Sequence, residues 1–123
     1  DEKFDLSRVI IAHVDRFPDY WYHKKMLQKG VSLIYDGPGK AKYYPDSMRV
    51  ELIKNIIHDG FADQLMLSND MGRRSHHTVY GYGPGFNFIK EKFIPRLLEE
   101  GVAQSDIDKF MIYNPARMYA MVK

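Results

Sequence analysis

The sequence predicts an α/β fold built on a parallel sheet, because short apolar runs alternate three times with polar loops and helical segments. The runs are apolar throughout rather than alternating, as in strands covered on both faces. The helical segments between them can serve as right-handed crossovers, which lay successive strands parallel.

In order, Arg8-Val9-Ile10-Ile11-Ala12-His13 reads as the first strand, an apolar run closed by a polar residue. After Pro18, the stretch from about Tyr20 to Gln28 reads as a helix, with Lys29-Gly30 as cationic last turn and glycine stop. Val31-Ser32-Leu33-Ile34-Tyr35 is the second strand, and Asp36-Gly37-Pro38-Gly39 is dense turn chemistry. Asp46 or Ser47 is placed to cap a helix whose Leu52, Ile53, Ile56 and Ile57 share a face, ending at Asp59-Gly60.

Gln64-Leu65-Met66-Leu67-Ser68 is the third strand, ending in Asn69-Asp70. The glycine-rich loop after it runs to about Gly85, longer than most connections, which favours a functional loop. Phe86 to Glu100 is helical, with Phe86, Ile89, Phe93 and Leu97 on one stripe and a kink expected at Pro95. Ser105 is placed to cap a short helix through Ile107 and Met111, and Asn114-Pro115-Ala116-Arg117 starts a terminal one. No linker or repeat interrupts this order, so residues 1–123 are expected to form one structural unit.

Composition narrows the function classes. Eighteen basic and sixteen acidic residues, net +2, are spread along the chain, which leaves no basic face for nucleic acid. Cysteine is absent, so any metal must be held by histidine and carboxylate. The apolar runs are far shorter than the roughly 20 residues of a membrane span. With no signal-peptide pattern at the N-terminus, the expected location is the cytoplasm.

In parallel α/β sheets the ligand site lies beyond the carboxyl ends of the strands. Two of the three strands end in potential metal ligands, His13 with Asp15 close by, and Asn69-Asp70. Spacing alone leaves both readings of His13 open, a hydrogen-bonded core group or a ligand. His23 and His58, within or ending helices, read as structural or surface groups. Gly81 to Gly85 is a poor phosphate loop, since Pro84 removes a donor and no lysine with serine or threonine follows.

Five segments together carry a family resemblance. Val9 to Asp19 and Met66-Leu67-Ser68-Asn69-Asp70 resemble two strand signatures of the phosphotriesterase-like branch of the amidohydrolase superfamily. Phe93-Ile94-Pro95-Arg96-Leu97, Gly101-Val102 and Tyr113-Asn114-Pro115-Ala116-Arg117 resemble its closing segments. The resemblance implies the C-terminal portion, strands six to eight with their helices, of a (β/α)8 TIM-type barrel. A whole barrel of this kind takes roughly 200 residues or more.

It further implies that His13 binds one divalent metal of a binuclear pair, two zinc ions in the complete site, and that Asp70 binds the other and serves as proton acceptor. The run from Asn69 to Arg74 resembles a subgroup that hydrolyses lactones of phosphorylated sugars. Lys40, Lys42, Arg73 and Arg74 fall in the loops after the second and third strands, and of the loop residues Lys42, Arg73, Arg74 and His76 are the expected substrate-binding set.

The implied function is a metal-dependent hydrolase that attacks a lactone or phosphorylated sugar lactone or ester with metal-bound hydroxide. The family's remaining ligands sit on its first, fourth and fifth strands, which are not in this sequence. The chain alone is therefore expected to be inactive. The alternative is a non-catalytic fragment, or a module binding a phosphorylated metabolite, completed by self-association or by the N-terminal part of the barrel. The expected partner is a small anionic molecule.

Overall fold

The computed structural model describes residues 4–121. Three short strands, β1 (Ile10–Ile11), β2 (Ser32–Tyr35) and β3 (Leu65–Leu67), form one sheet in the order β1-β2-β3. Both pairings are parallel, with Ile11 opposite Leu33, and Leu33, Ile34 and Tyr35 opposite Leu65, Met66 and Leu67. The expected α/β architecture is present, and β2 and β3 are buried along almost their whole length, as continuous apolar strands require.

Helix α1 (Tyr20–Gln28) joins β1 to β2 with the bounds that the sequence predicts, capped by the Asp19 side chain on the Tyr22 N–H. Helix α2 (Asp46–His58) joins β2 to β3 and buries Val50, Leu52, Ile53 and Ile56. Its cap differs from the expectation. Pro45 is the N-cap and Asp46 the first helical residue, because the Asp46 carboxylate is taken by the Gly39 N–H and by Arg49.

Two other expectations change. The first strand is shorter than Arg8–His13, since Leu6–Arg8 form a 3-10 turn and His13 adopts a left-handed φ of 63°. Ser105 does not cap its helix. Ala103 holds that position, and α5 (Gln104–Asp108) continues through a π turn, Lys109–Tyr113, into α6 (Asn114–Tyr119), so the two expected helices are one helical run.

The loop after β3 holds a 3-10 turn, Arg74–His76, and the short α3 (Thr78–Gly81). The kink expected at Pro95 takes the form of a π turn, Ile89–Phe93, leading into α4 (Ile94–Glu99). The same device precedes Pro115. A proline lacks the N–H of the helical ladder and its ring meets the carbonyl four residues back, and one wider turn relieves both conflicts.

One core joins the three strands with α1, α2, α4 and α5, with Leu27, Leu33, Tyr35, Ile53, Ile56, Leu65, Phe93, Leu97 and Phe110 at its centre. Asn114 ties the last helix to the start of β3, its buried side-chain amide donating to the carbonyls of Ala62 (2.8 Å) and Leu65 (2.7 Å). Among the described residues no helix is long and apolar enough to cross a membrane.

Candidate metal centre and anion cleft

The carboxyl ends of the three strands bring His13, Asp36 and Asp70 together, with one potential ligand atom of each lying within 4.8 Å of the others. Asp36 follows β2 directly, while His13 and Asp70 leave their strands through left-handed residues, φ 63° and 45°. Non-glycine residues pay for that conformation, and they concentrate where a side chain must be aimed.

Asp36 grips His13 twice. Its Oδ2 accepts from the His13 backbone N–H (3.2 Å) and is in contact with the ring Nδ1. Asp70 Oδ2 accepts from Arg16 Nη2 (2.5 Å) and lies 3.2 Å from Lys40 Nζ, which also donates to the Asp70 carbonyl (2.6 Å). Arg16 stacks over Tyr43, 4.6 Å from the ring centre, and its Nε stands 3.9 Å from Asp36 Oδ1.

These neighbours separate the two carboxylates. Burial pushes the Asp36 carboxyl up, and the nearby Asp15 charge adds to that, against the pull of His13 and Arg16. Burial also acts to raise Asp70, but the Lys40 hydrogen bond and the charges of Lys40, Arg16 and His13 outweigh it and hold Asp70 below the usual range. Asp70 is thereby kept ionised.

Behind the site lies a buried ion pair. Arg49 Nε donates to Asp15 Oδ2 (2.6 Å), and both side chains are fully buried. The same carboxylate accepts from the backbone N–H groups of Asp36 (3.2 Å) and Gly37 (2.9 Å), so it holds the turn that presents Asp36. Gly37 is required by this approach, because a Cβ there would overlap Arg49 Nη2 and Asp15 Oδ2.

Beside the carboxylates is a cleft of about 290 Å³, lined by the loops after β2 and β3. Lys42, Arg73 and His76 line it together with Tyr43 and Ser75. Arg74 is outside that lining, with its guanidinium over the Tyr80 ring at 4.5 Å. Lys40 lines the cleft but is committed to Asp70, with its side chain almost wholly buried. Gly83 lies against the backbone of Ser75 and His76 so closely that no side chain fits.

His23, read from the sequence as structural, is buried, with Nδ1 on the Tyr35 hydroxyl (2.6 Å) and Nε2 on the Val14 and Phe17 carbonyls (3.0 and 2.8 Å). His58 is exposed at the end of α2. Two site residues escaped the sequence reading, Asp36 and Arg16. Asp36 was legible as the residue ending the second strand, the position that singled out His13 and Asp70, but its place before Gly37-Pro38-Gly39 reads as turn chemistry. Arg16 has no such signal, since its partner Asp70 is 54 residues away.

A nitrogen and two carboxylates at this separation suit a divalent cation such as zinc. Known proteins resemble the chain along nearly its whole length. The chain is 34% identical over 120 residues to a phospho-furanose lactonase of Mycoplasmopsis synoviae (strain 53), covering 93% of this chain and 34% of that protein. It is 35% identical over 115 residues to the phosphotriesterase homology protein of Escherichia coli (strain K12), covering 94% and 39%. An N-acetyltaurine hydrolase of Danio rerio is 31% identical over 126 residues, covering 92% and 35%.

Among solved structures, the Escherichia coli phosphotriesterase homology protein, complexed with phosphate in its active site, superposes with a TM-score of 0.91 at 33% identity, over 95% of this chain and 40% of that one. A lactonase from Listeria monocytogenes gives 0.91 at 35% identity, over 98% and 38%. The chain thus spans between a third and two fifths of the proteins it resembles, and its fold fits a portion of their β/α barrels. The model of the phosphotriesterase family matches residues 1–119, nearly the whole length and every element that builds the site, and the chain belongs to that family.

Proposed function

We propose that this chain supplies strands six to eight of a metal-dependent hydrolase barrel acting on a lactone or a phosphorylated sugar lactone or ester. The observation that carries the reading is the convergence of His13 and Asp70 at the carboxyl end of the sheet, near a cleft walled by Lys42, Arg73 and His76. The phospho-furanose lactonases among the similar proteins, and the phosphate in the related structure, favour an anionic substrate of this class.

His13 and Asp70 would each contribute to one ion of a pair, two zinc ions in the complete site. When bound, such ions supply Lewis acidity toward a carbonyl and toward water. Asp70, held ionised by Lys40 and Arg16, is the group that accepts the proton of the attacking water. Lys42 and Arg73 bind the phosphoryl group as a point charge and a planar fork, with His76 beside them and Arg74 in the same loop. Their grip fixes the scissile carbonyl relative to Asp70.

A second reading, binding of a phosphorylated metabolite without turnover, is favoured by one observation: Arg16 and Lys40 already neutralise Asp70. Elemental analysis of the purified chain after zinc exposure, beside the Asp70→Asn variant, separates the two. The hydrolase reading expects bound zinc that the variant loses at least in part. Absence of zinc from the wild-type chain, with inorganic phosphate still bound in ³¹P NMR titration, would leave the binding module.

A further inference from the structure

The carboxylate of Asp36 is the member of the strand-end cluster to which neither the family comparison nor the sequence assigns a role. Its side chain is only 4% exposed, and its Oδ2 meets two donors of a single residue, the backbone N–H and the ring Nδ1 of His13. His13 presents both groups to the same oxygen from a left-handed backbone, φ 63°.

Asp36 is itself held from two sides. Its N–H donates to Asp15 Oδ1, and Lys40 Nζ lies 3.4 Å from its carbonyl. Asp15 is anchored by the buried Arg49, so a chain of contacts runs from α2 through Asp15 and Asp36 to the imidazole. A carboxylate beside a neutral imidazole nitrogen fixes the tautomer, because that nitrogen must carry the proton and the other is left with the lone pair.

We propose that Asp36 is the positioning residue of His13: it accepts the Nδ1–H and turns Nε2, with its lone pair, toward the metal. This rests on the metal reading of His13 given above, and it places Asp36 behind the ligand rather than among the ligands. Direct coordination by Oδ2 would compete with both contacts to His13, and coordination by Oδ1, which has no hydrogen-bond partner among the described residues, is the alternative that the zinc stoichiometry below tests.

The test uses the full chain, first without metal. On the alkaline plateau of a pH series, where the ring ¹⁵N shifts no longer change, those shifts report which nitrogen carries the proton. His13 is assigned among the five histidines by the loss of its signals in His13→Gln. The wild-type chain is expected to show His13 as the Nδ1–H tautomer. Asp36→Asn, whose side-chain oxygen can take the place of Oδ2 toward both donors, is expected to keep it. Asp36→Ala is expected to shift His13 toward Nε2–H.

Zinc is then added against a chromophoric chelator. Asp36→Ala is expected to bind with about 10- to 100-fold lower affinity and unchanged stoichiometry, with Asp36→Asn between it and wild type. An Nε2–H tautomer in the wild type, or a tautomer insensitive to Asp36→Ala in a variant that circular dichroism shows to be folded, overturns the proposal. Loss of one zinc equivalent in Asp36→Asn also overturns it, by making Asp36 a ligand. Should the wild-type chain take up no zinc, the metal reading fails, while the tautomer series still decides whether Asp36 controls His13.

Discussion

Three residue-scale contrasts explain the site. His13 and His23 are one residue type, yet His13 stands half-exposed at a strand end against a carboxylate, and His23 is buried between a phenol and two carbonyls. Burial pushes the His23 imidazole below its ordinary 6.5, the backbone contacts opposing only in part. The unfolded chain therefore binds the His23 proton more readily, so this contribution to stability is complete above pH 6.5 and is lost as pH falls below it toward the lowered value. The midpoint of urea denaturation should fall between pH 7 and 5, and His23→Gln should flatten that part of the curve. A slope unchanged in the variant would assign the effect to other groups. The carboxylates contrast likewise: Asp15 is paired with Arg49 in full burial, Asp36 is raised, and Asp70 is lowered between two cations.

Elements are held in place by side-chain amides as much as by apolar contact. Gln64 Nε2 donates to the carbonyls of Leu27 and Val31, both 2.9 Å, closing the end of α1 onto the start of β2. Asn114 does the same between α6 and β3, where Arg117 also reaches the Asp63 carbonyl. The motif Tyr113-Asn114-Pro115-Ala116-Arg117 is thus a structural clamp, with the proline accommodated by the π turn before it. Asn114→Ala leaves two carbonyls without their donors, and a loss of about 2–3 kcal/mol is expected in equilibrium unfolding. Asn114→Gln cannot place its longer amide on both carbonyls and should recover little of that loss. A change of a few tenths of a kcal/mol in Asn114→Ala would show that water replaces the amide.

At the scale of the whole molecule, the sheet among the described residues has β1 and β3 at its edges, and β1 is paired on one side only. Ile10 is half-buried on that edge and is outside the main apolar cluster. Phe4, Leu6, Tyr119 and Met121 are exposed, and the Arg8 contact with the Ala120 carbonyl (3.1 Å) brings the two ends of the described chain near each other. An unpaired strand edge beside exposed apolar side chains recruits another chain. Sedimentation velocity should show concentration-dependent self-association, and Ile10→Lys should reduce it several-fold by placing a charge on the edge. A monomer at all concentrations would mean that the edge is covered in the isolated chain.

Much of the architecture is determined locally. Apolar runs of strand length, the Asp19 cap and the glycine after α1 specify strand, loop and helix without long-range information, and the bounds of α1 follow from them. Residues at strand ends are legible for the same reason, since parallel topology alone puts His13 and Asp70 on one side of the sheet. Their partners were decided by tertiary structure. Whether Lys40 faces a substrate or Asp70 depends on a contact across 30 residues, and whether Asp36 is a turn residue or the support of His13 depends on a contact across 23. The physical reason is that composition and periodicity encode burial, which is local and additive, whereas the fate of a charge is set by the few groups that folding brings within hydrogen-bonding distance.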